Sequence, residues 1–340
     1  MRLAVIGLGF MGSTHLKALQ GLSGVALAAV VSNDPKKLGG DLSAIQGNLG
    51  GPGEVLDFSA VKQYRTPQEA FDDPNIDAVD LCLPTDLHAP LSIAALRAGK
   101  HVLVEKPMAL NLAQCDQMIE EAAKAARILM TAQVLRFFPA YTALRAQLTS
   151  GHLGQVRSAL FRRRCAAPFW SQWLKNSDKS GGGVFDLLIH DIDMCLHLFG
   201  MPEAVSATGY ENLEAGIDFL NATLHYPDIG SVVVTGGWHH PKSYPFSMEY
   251  TVSADGGTVD YSTDNRPPKL YKFDGETEEL QLETMDGYAA ELQYFADCVN
   301  EARQPLICSP RDSANAVYLA HELLASRAAA GARRTLSFPC

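Results

Sequence analysis

Three residues of this chain have the types and settings that proton transfer on a small molecule needs: Lys106, Asp186 and His190. Lys106 stands in Glu105-Lys106-Pro107, directly after the apolar run 101–104. A lysine at the C-terminal end of a parallel strand lies where open α/β sheets bind their ligands, and its charge favours a developing alkoxide. Asp186 and His190 lie in the segment SGGGVFDLLIHDID at 180–193, where glycines precede a strongly apolar helix. Residues four apart share a helix face. Histidine titrates nearest neutrality, and a carboxylate one turn away can orient or tune it. Asp193 and His197 extend the same spacing, so a polar stripe is expected that lines a cavity or is internally paired; burying it without partners would be costly. Histidine and aspartate on one helix can also bind a divalent cation, but no third segment offers a companion ligand, and no metal is expected.

A second set of residues acts through the backbone. Residues 2–6 read as a buried strand, and Gly7-Leu8-Gly9-Phe10-Met11-Gly12 leads into a helix ending near Gly21. GxGxxG alone is a weak signal; between a strand and a helix it is a dinucleotide-binding turn. Gly7 permits the tight turn, Gly9 lets a pyrophosphate approach, and Gly12 lets helix and strand pack closely. Phe10 and Met11 belong to the helix start that faces the phosphates. In NAD-binding turns an acidic residue at the end of the second strand accepts the ribose hydroxyls. Here the run 25–31 is followed by Ser32-Asn33-Asp34, and Ser32 takes the acidic place by register. A neutral Ser32 beside Asn33, with Lys36 and Lys37 close by, removes the charge that would repel a 2′-phosphate. NADP is the expected cofactor, with NAD the alternative if Asp34 swings in.

The elements that must hold these residues fall into two patterns. Up to about residue 125, strand-like and helix-like runs alternate, which implies parallel strands. Thr66-Pro67-Gln68-Glu69 has the form of a helix start, and the helix at 88–98 is closed by Gly99. Beyond about 135, strand runs at 156–163, 221–225, 231–236, 248–253, 258–261 and 270–273 are joined by turns such as Asp255-Gly256-Gly257. Two helices follow, at 288–301 and 312–330. The expected fold is α/β: a Rossmann dinucleotide-binding domain over 1–125, then an α+β domain over 126–340 with a mostly antiparallel open sheet for substrate binding and oligomerisation. The final helices are free to pack back on the first domain. Gly47–Gly53 reads as a mobile loop.

Composition narrows the function classes. The 340 residues are 47% hydrophobic and 19% charged, as in a packed globular protein. A net charge of −10 disfavours nucleic acid and acidic membrane surfaces as partners. The seven cysteines are scattered without a CxxC pair, against a disulfide framework or thiolate zinc. No run approaches the length of a membrane span, and no signal peptide is expected before the first strand. A cytoplasmic protein is expected.

Together these motifs resemble the glucose–fructose oxidoreductase / inositol dehydrogenase / MocA-like (Gfo/Idh/MocA) family. The matching segments are GLGFMG, LPTDLHAPLSIAALRAGKHVLVEKPMAL at 83–110, FFPAYTALRAQLTSGHLGQVRS at 137–158, SGGGVFDLLIHDIDM at 180–194 and the helix pair at 288–330. The resemblance implies hydride transfer between a nicotinamide and a secondary alcohol or ketone of a sugar, polyol or inositol. It implies that Lys106 binds the region of the reacting oxygen, that His190 is the general acid/base, and that Asp186 positions substrate and histidine. Leu83, Thr85 and His88 match a stretch bordering the cofactor, as do Glu105 and Lys106. The second sheet's open face is implied to form a homodimer or homotetramer. Arg136, Phe169, Trp170, Trp173, Trp238, His239, His240 and Tyr244 are candidates for the pocket wall, with Arg136, Trp170 and His239 the foremost. The rival expectation is a redox-sensing or regulatory protein that holds a dinucleotide without turnover.

Overall fold

Short, mostly apolar runs alternating with helix signals fold here as a parallel sheet, with the polar run Lys62–Tyr64 at its edge. Its strands are β1 (Arg2–Ile6), β2 (Ala26–Val31), β3 (Lys62–Tyr64), β4 (Ala78–Leu81), β5 (His101–Glu105) and β6 (Leu129–Ala132). Their order is β3-β2-β1-β4-β5-β6, with every pairing parallel. β4 and β6 are buried along their whole length, as strands covered on both faces must be. The connecting helices are α1 (Phe10–Ala18), α2 (Pro35–Leu38), α3 (Pro67–Asp72), α4 (His88–Arg97) and α5 (Leu112–Ala125).

The computed structural model describes residues 1–47, 53–168 and 171–337. The chain divides into two units, Met1–Phe137 with Met285–Ala314, and Phe138–Thr284 with Asn315–Cys340. A boundary after residue 125 therefore falls too early: β6 pairs with β5 and completes the first sheet. The first unit is also discontinuous. Helix Gly287–Asn300 buries Leu292, Phe295 and Cys298 in one cluster with Leu3, Leu103 and Met130. Of the loop expected at 47–53, the interior lies outside the described residues.

The second unit holds α6 (Pro139–Thr149), β7 (Val156–Cys165), α7 (Ser177–Ser180), α8 (Ile189–Phe199), β8 (Ala204–Asn212), β9 (Ile217–His225), β10 (Ser231–Trp238), β11 (Ser247–Ala254), β12 (Gly257–Ser262), β13 (Arg266–Lys272), β14 (Thr277–Glu279) and β15 (Arg334–Thr335). The strands form one sheet of order β14-β13-β12-β11-β7-β10-β9-β8-β15. It is antiparallel except where β10 runs parallel to β7. Alternation gives it two unlike faces. Phe161, Tyr250, Val252, Val259, Leu270 and Val234 are buried. Their neighbours Leu160, Thr251, Thr258 and Tyr271 are exposed or half-exposed. No helix among the described residues is long and apolar enough to cross a membrane.

Candidate functional site

In the first unit the glycine turn is built by steric exclusion. Gly7 has φ +97°, a region that side chains avoid, and a Cβ there would stand 2.3 Å from the Cys82 carbonyl oxygen. A Cβ on Gly12 would stand 1.9 Å from the Gly7 carbonyl oxygen, so α1 can touch the turn only through a glycine. Gly9 differs: a Cβ there meets nothing within 4 Å. It precedes α1, which has no side-chain cap and no acidic residue in its first turn, Phe10 and Met11 included. Uncapped N–H groups beside open space fit a dinucleotide pyrophosphate.

At the end of β2, Ser32 donates its backbone N–H to the Tyr64 carbonyl, and its Oγ accepts from Asp34 N–H at 3.1 Å. Asp34 caps α2, with Oδ1 accepting from Lys36 N–H at 2.9 Å. Its carboxylate is thus occupied locally. Asn33 is exposed and Lys37 half-buried. Leu83 packs against the turn, since a Cβ on Gly7 would lie 2.8 Å from its Cδ2. Thr85 is buried. His88, 1% exposed, has both ring nitrogens on backbone carbonyls, Leu83 and Pro107, each at 2.8 Å. It ties the loop after β4 to Glu105-Lys106-Pro107 and has no ring nitrogen left for a ligand.

Lys106 is half-buried at the end of β5. Glu105 Oε2 accepts from Lys106 N–H at 3.0 Å, and Oε1 stands 3.3 Å from His15 Nε2. His15 Nδ1 meets Asp80 Oδ2 at 2.8 Å. Sequence reading passed over this network, in which an α1 histidine joins the carboxylates of β4 and β5. Burial alone would lower the His15 pKa, but the Asp80 carboxylate raises it well above the ordinary value. Burial alone would raise that of Glu105, but His15 lowers it. Cys82 Sγ lies 3.5 Å from His15 Nδ1, giving a His/Asp/Cys group of the composition that holds metals. The 2.8 Å contact is a hydrogen bond, shorter than the ~3.3 Å between donors on tetrahedral zinc with bonds of about 2.0 Å. Arg136, expected on a pocket wall, is instead enclosed: Nη1 donates to the Ile307 carbonyl at 2.6 Å and pairs with Asp312 at 3.2 Å.

In the second unit, Val184–Leu188 forms a π-helical turn that runs into α8. π turns change the register of a helix and recur at functional sites. From Gly182 through Leu196 every residue is buried except Asp186 and His190, which are half-exposed. The stripe expected from Asp186 to His197 thereby divides, because Asp193 is 1% exposed and turned inward past the wide turn. His197 is half-buried near the end of α8. Asp191, next to His190, is fully buried and takes Arg163 Nε and Nη2 at 2.7 and 3.0 Å. Burial would lower the Arg163 pKa, and Asp191 raises it above the ordinary value instead. Asp218 on β9 accepts from the N–H groups of Gly183 and Val184 at 2.7 and 3.2 Å. Nothing in the local sequence marks Asp218, whereas Arg163 stands in the basic run Arg162-Arg163-Arg164, which reads as a solvated edge; the structure instead buries Arg163 on Asp191.

His239 is exposed at the end of β10, its ring 5.1 Å from Phe219 and 4.0 Å from His240, which stacks on Tyr244 at 3.8 Å. Trp238 is fully buried beneath Gly183, and Trp173 joins the same cluster. Trp238 is a core residue and not pocket wall, whereas Trp173 is half-buried at the edge of that cluster. Trp170 and Phe169 lie outside the described residues.

Comparison with known proteins matches both units. A model described as "Oxidoreductase family, NAD-binding Rossmann fold" matches residues 1–133, and one described as "GFO/IDH/MocA C-terminal domain" matches 141–260. Myo-inositol 2-dehydrogenase of Thermotoga maritima is 36% identical over 59% of this chain and 55% of that enzyme. The scyllo-inositol 2-dehydrogenase (NAD(+)) of Bacillus subtilis is 26% identical over 90% of this chain and 88% of that enzyme. A crystal structure described as a probable dehydrogenase from Thermotoga maritima superposes with a TM-score of 0.80 at 27% identity, covering 98% of both chains. The chain spans a little over half the length of the curated relatives at 36% and 30% identity.

Proposed function

The chain belongs to the Gfo/Idh/MocA family of oxidoreductases, with its NAD-binding Rossmann domain, and from that premise we propose that it oxidises a secondary alcohol of a sugar, polyol or inositol, or reduces the matching ketone. The observation that carries this reading is the opening of Asp186 and His190 alone on a helix otherwise buried from Gly182 to Leu196. A bound nicotinamide supplies the hydride acceptor or donor. An imidazole nitrogen of His190 takes the hydroxyl proton in the oxidation direction and returns it in reduction. Asp186 orients that imidazole and accepts from a substrate hydroxyl. The Lys106 Nζ stabilises negative charge on the reacting oxygen. The names of inositol dehydrogenases among the relatives support the substrate class.

Gly7, Gly9 and Gly12 form the pyrophosphate cradle in this reading, and Ser32, Asn33 and Lys37 border the ribose. Relatives are named both for NAD(+) and for NADP(+). NADP is favoured for this chain because Ser32 is neutral and the Asp34 carboxylate is engaged in capping α2. Leu160 and Tyr271 on the open sheet face support self-association into a dimer or tetramer. Among the described residues, six buried free cysteines suit a reducing compartment and support a cytoplasmic setting.

The test is a nicotinamide absorbance screen. NAD⁺ and NADP⁺ are each offered with inositols, aldoses and sugar acids, and the reduced cofactors with the matching ketones. His190→Ala is expected to cut turnover by about 10²–10⁴. Undiminished turnover in that variant would remove His190 from the mechanism. A kcat/KM ratio favouring NAD⁺ would overturn the cofactor assignment.

A further inference from the structure

The helical segment bearing Asp186 and His190 begins on a carboxylate that is distant in sequence. Asp218 is 1% exposed, and its two oxygens serve different partners. Oδ2 accepts from Gly183 and Val184 N–H. Oδ1 accepts from Arg327 Nη1 at 2.5 Å. Arg327 comes from the end of helix Pro310–Ala328, also reaches the Phe219 carbonyl at 3.4 Å, and pairs with Glu211 on β8.

A helix start leaves N–H groups unpaired, and a carboxylate placed there both satisfies them and suits the helix dipole. A buried carboxylate needs a counter-ion, which Arg327 provides. The wide turn at Val184–Leu188 makes an outside anchor more useful, because its register is not set by a continuous α-helical ladder. The glycines permit the approach: a Cβ on Gly182 would stand 2.8 Å from Asp218 Oδ2, and one on Gly183 would stand 3.0 Å from Trp238. Gly182 also has φ +82°.

We propose that Asp218 and Arg327 are positioning residues for Asp186 and His190: their ion pair fixes where the segment 183–190 starts and how it is rotated, and so where the two side chains point. The proposal rests on the catalytic reading of that pair, and extends it to residues that never touch substrate. It gives the terminal helix a part in the site through Arg327.

The experiment compares Asp218→Asn, Arg327→Met, Arg327→Lys and the double variant Asp218→Asn/Arg327→Met in the full chain. Turnover, melting temperature and amide exchange over 183–190 are read for each, with His190→Ala alongside. Arg327→Met leaves the buried Asp218 carboxylate uncompensated and lowers the melting temperature most, Asp218→Asn leaves Arg327 with Glu211 alone and lowers it less, and the double variant recovers much of the loss. Positioning predicts that the double variant still loses about tenfold or more in kcat, with dinucleotide affinity unchanged and amide exchange at 183–190 accelerated. Arg327→Lys restores part of the kcat. Recovery of kcat together with melting temperature in the double variant, with normal exchange at 183–190, overturns the proposal. If His190→Ala keeps its turnover, the catalytic reading fails by itself, and the exchange rates still decide whether Asp218 and Arg327 hold the segment.

Discussion

The two units hold their chemical groups by opposite means. In the first, the glycine turn is held by what is missing: Gly7 and Gly12 lack the atoms that would collide with Cys82 and with Gly7 itself. In the second, the motif helix is held by what is added: Asp218 at its start and Arg163 on Asp191 just past His190. The glycines that supply steric absence are written in a few consecutive residues, even where the atom they spare, the Cys82 carbonyl, comes from the end of β4. Ionic anchoring acts across the sheet and is spread over β7, β9 and the terminal helix. A site of the first kind fails by overcrowding, and one of the second kind by uncompensated charge.

The contrast can be broken at either end. The largest effect belongs to the ionic side. Asp191→Ala leaves the Arg163 guanidinium, 3% exposed, without its carboxylate, and is expected to cost about 3–5 kcal/mol in denaturant unfolding. Arg163→Met combined with Asp191→Leu should return most of that loss, because a buried pair replaced by apolar groups is often neutral. A double variant as unstable as the single one would show that the pair does more than balance charge.

Next come the glycines, which separate packing from ligand approach. Gly12→Ala forces a methyl to 1.9 Å from a carbonyl oxygen and should cost about 1–3 kcal/mol, with dinucleotide binding lost as well. Gly9 has φ −90° and ψ −159°, which alanine adopts freely, and open space beyond it. Gly9→Ala should therefore leave the melting temperature within about 2 °C while weakening dinucleotide binding by roughly tenfold or more, read by fluorescence titration. Equal damage to stability from both changes would erase the distinction between them.

The smallest effect concerns pH and again lies in the first unit. Burial, then the Arg127 guanidinium, push His101 down to about 4 from an ordinary 6.5. Its Nδ1 accepts from Ile128 N–H at 3.0 Å, which requires that nitrogen to be unprotonated. A depressed pKa means that the unfolded chain binds the proton more readily. The stabilisation is complete above about pH 6.5 and is lost as the pH falls toward 4. Allowing for partial exposure, the loss should be about 1–2 kcal/mol. Melting curves between these pH values should slope less for His101→Gln than for the parent chain.

How much was legible in the sequence follows the same division. The glycine turn and the β5 lysine are local patterns that the structure places on the expected kind of element, whereas the Asp186–His190 spacing straddles a π-helical turn and an α-helix that no local pattern distinguishes. β6 was missed because α5 ends on Ala126 at φ 51° where a glycine would have marked the stop. β8 was missed because its second half, through Asn212, is exposed and carries no apolar alternation. Arg136 invites a reading as pocket wall because a guanidinium can hydrogen-bond hydroxyls or a carboxylate, whereas its partners are near Ile307, far along the chain. The His15–Asp80–Glu105 network and the Asp218–Arg327 pair share that reason: each joins residues whose proximity exists only after folding.

The return of helix Gly287–Asn300 to the first unit bears on how the molecule is made. During synthesis the six parallel strands are complete once Ala132 has emerged, yet the surface around Leu3, Leu103 and Met130 lacks Leu292, Phe295 and Cys298 until residue 300 follows. At roughly 5–20 residues per second that interval lasts about 10–30 s. Through it the nascent sheet keeps an uncovered apolar flank, and the first unit cannot complete its core before the helix at Gly287–Asn300 has been made.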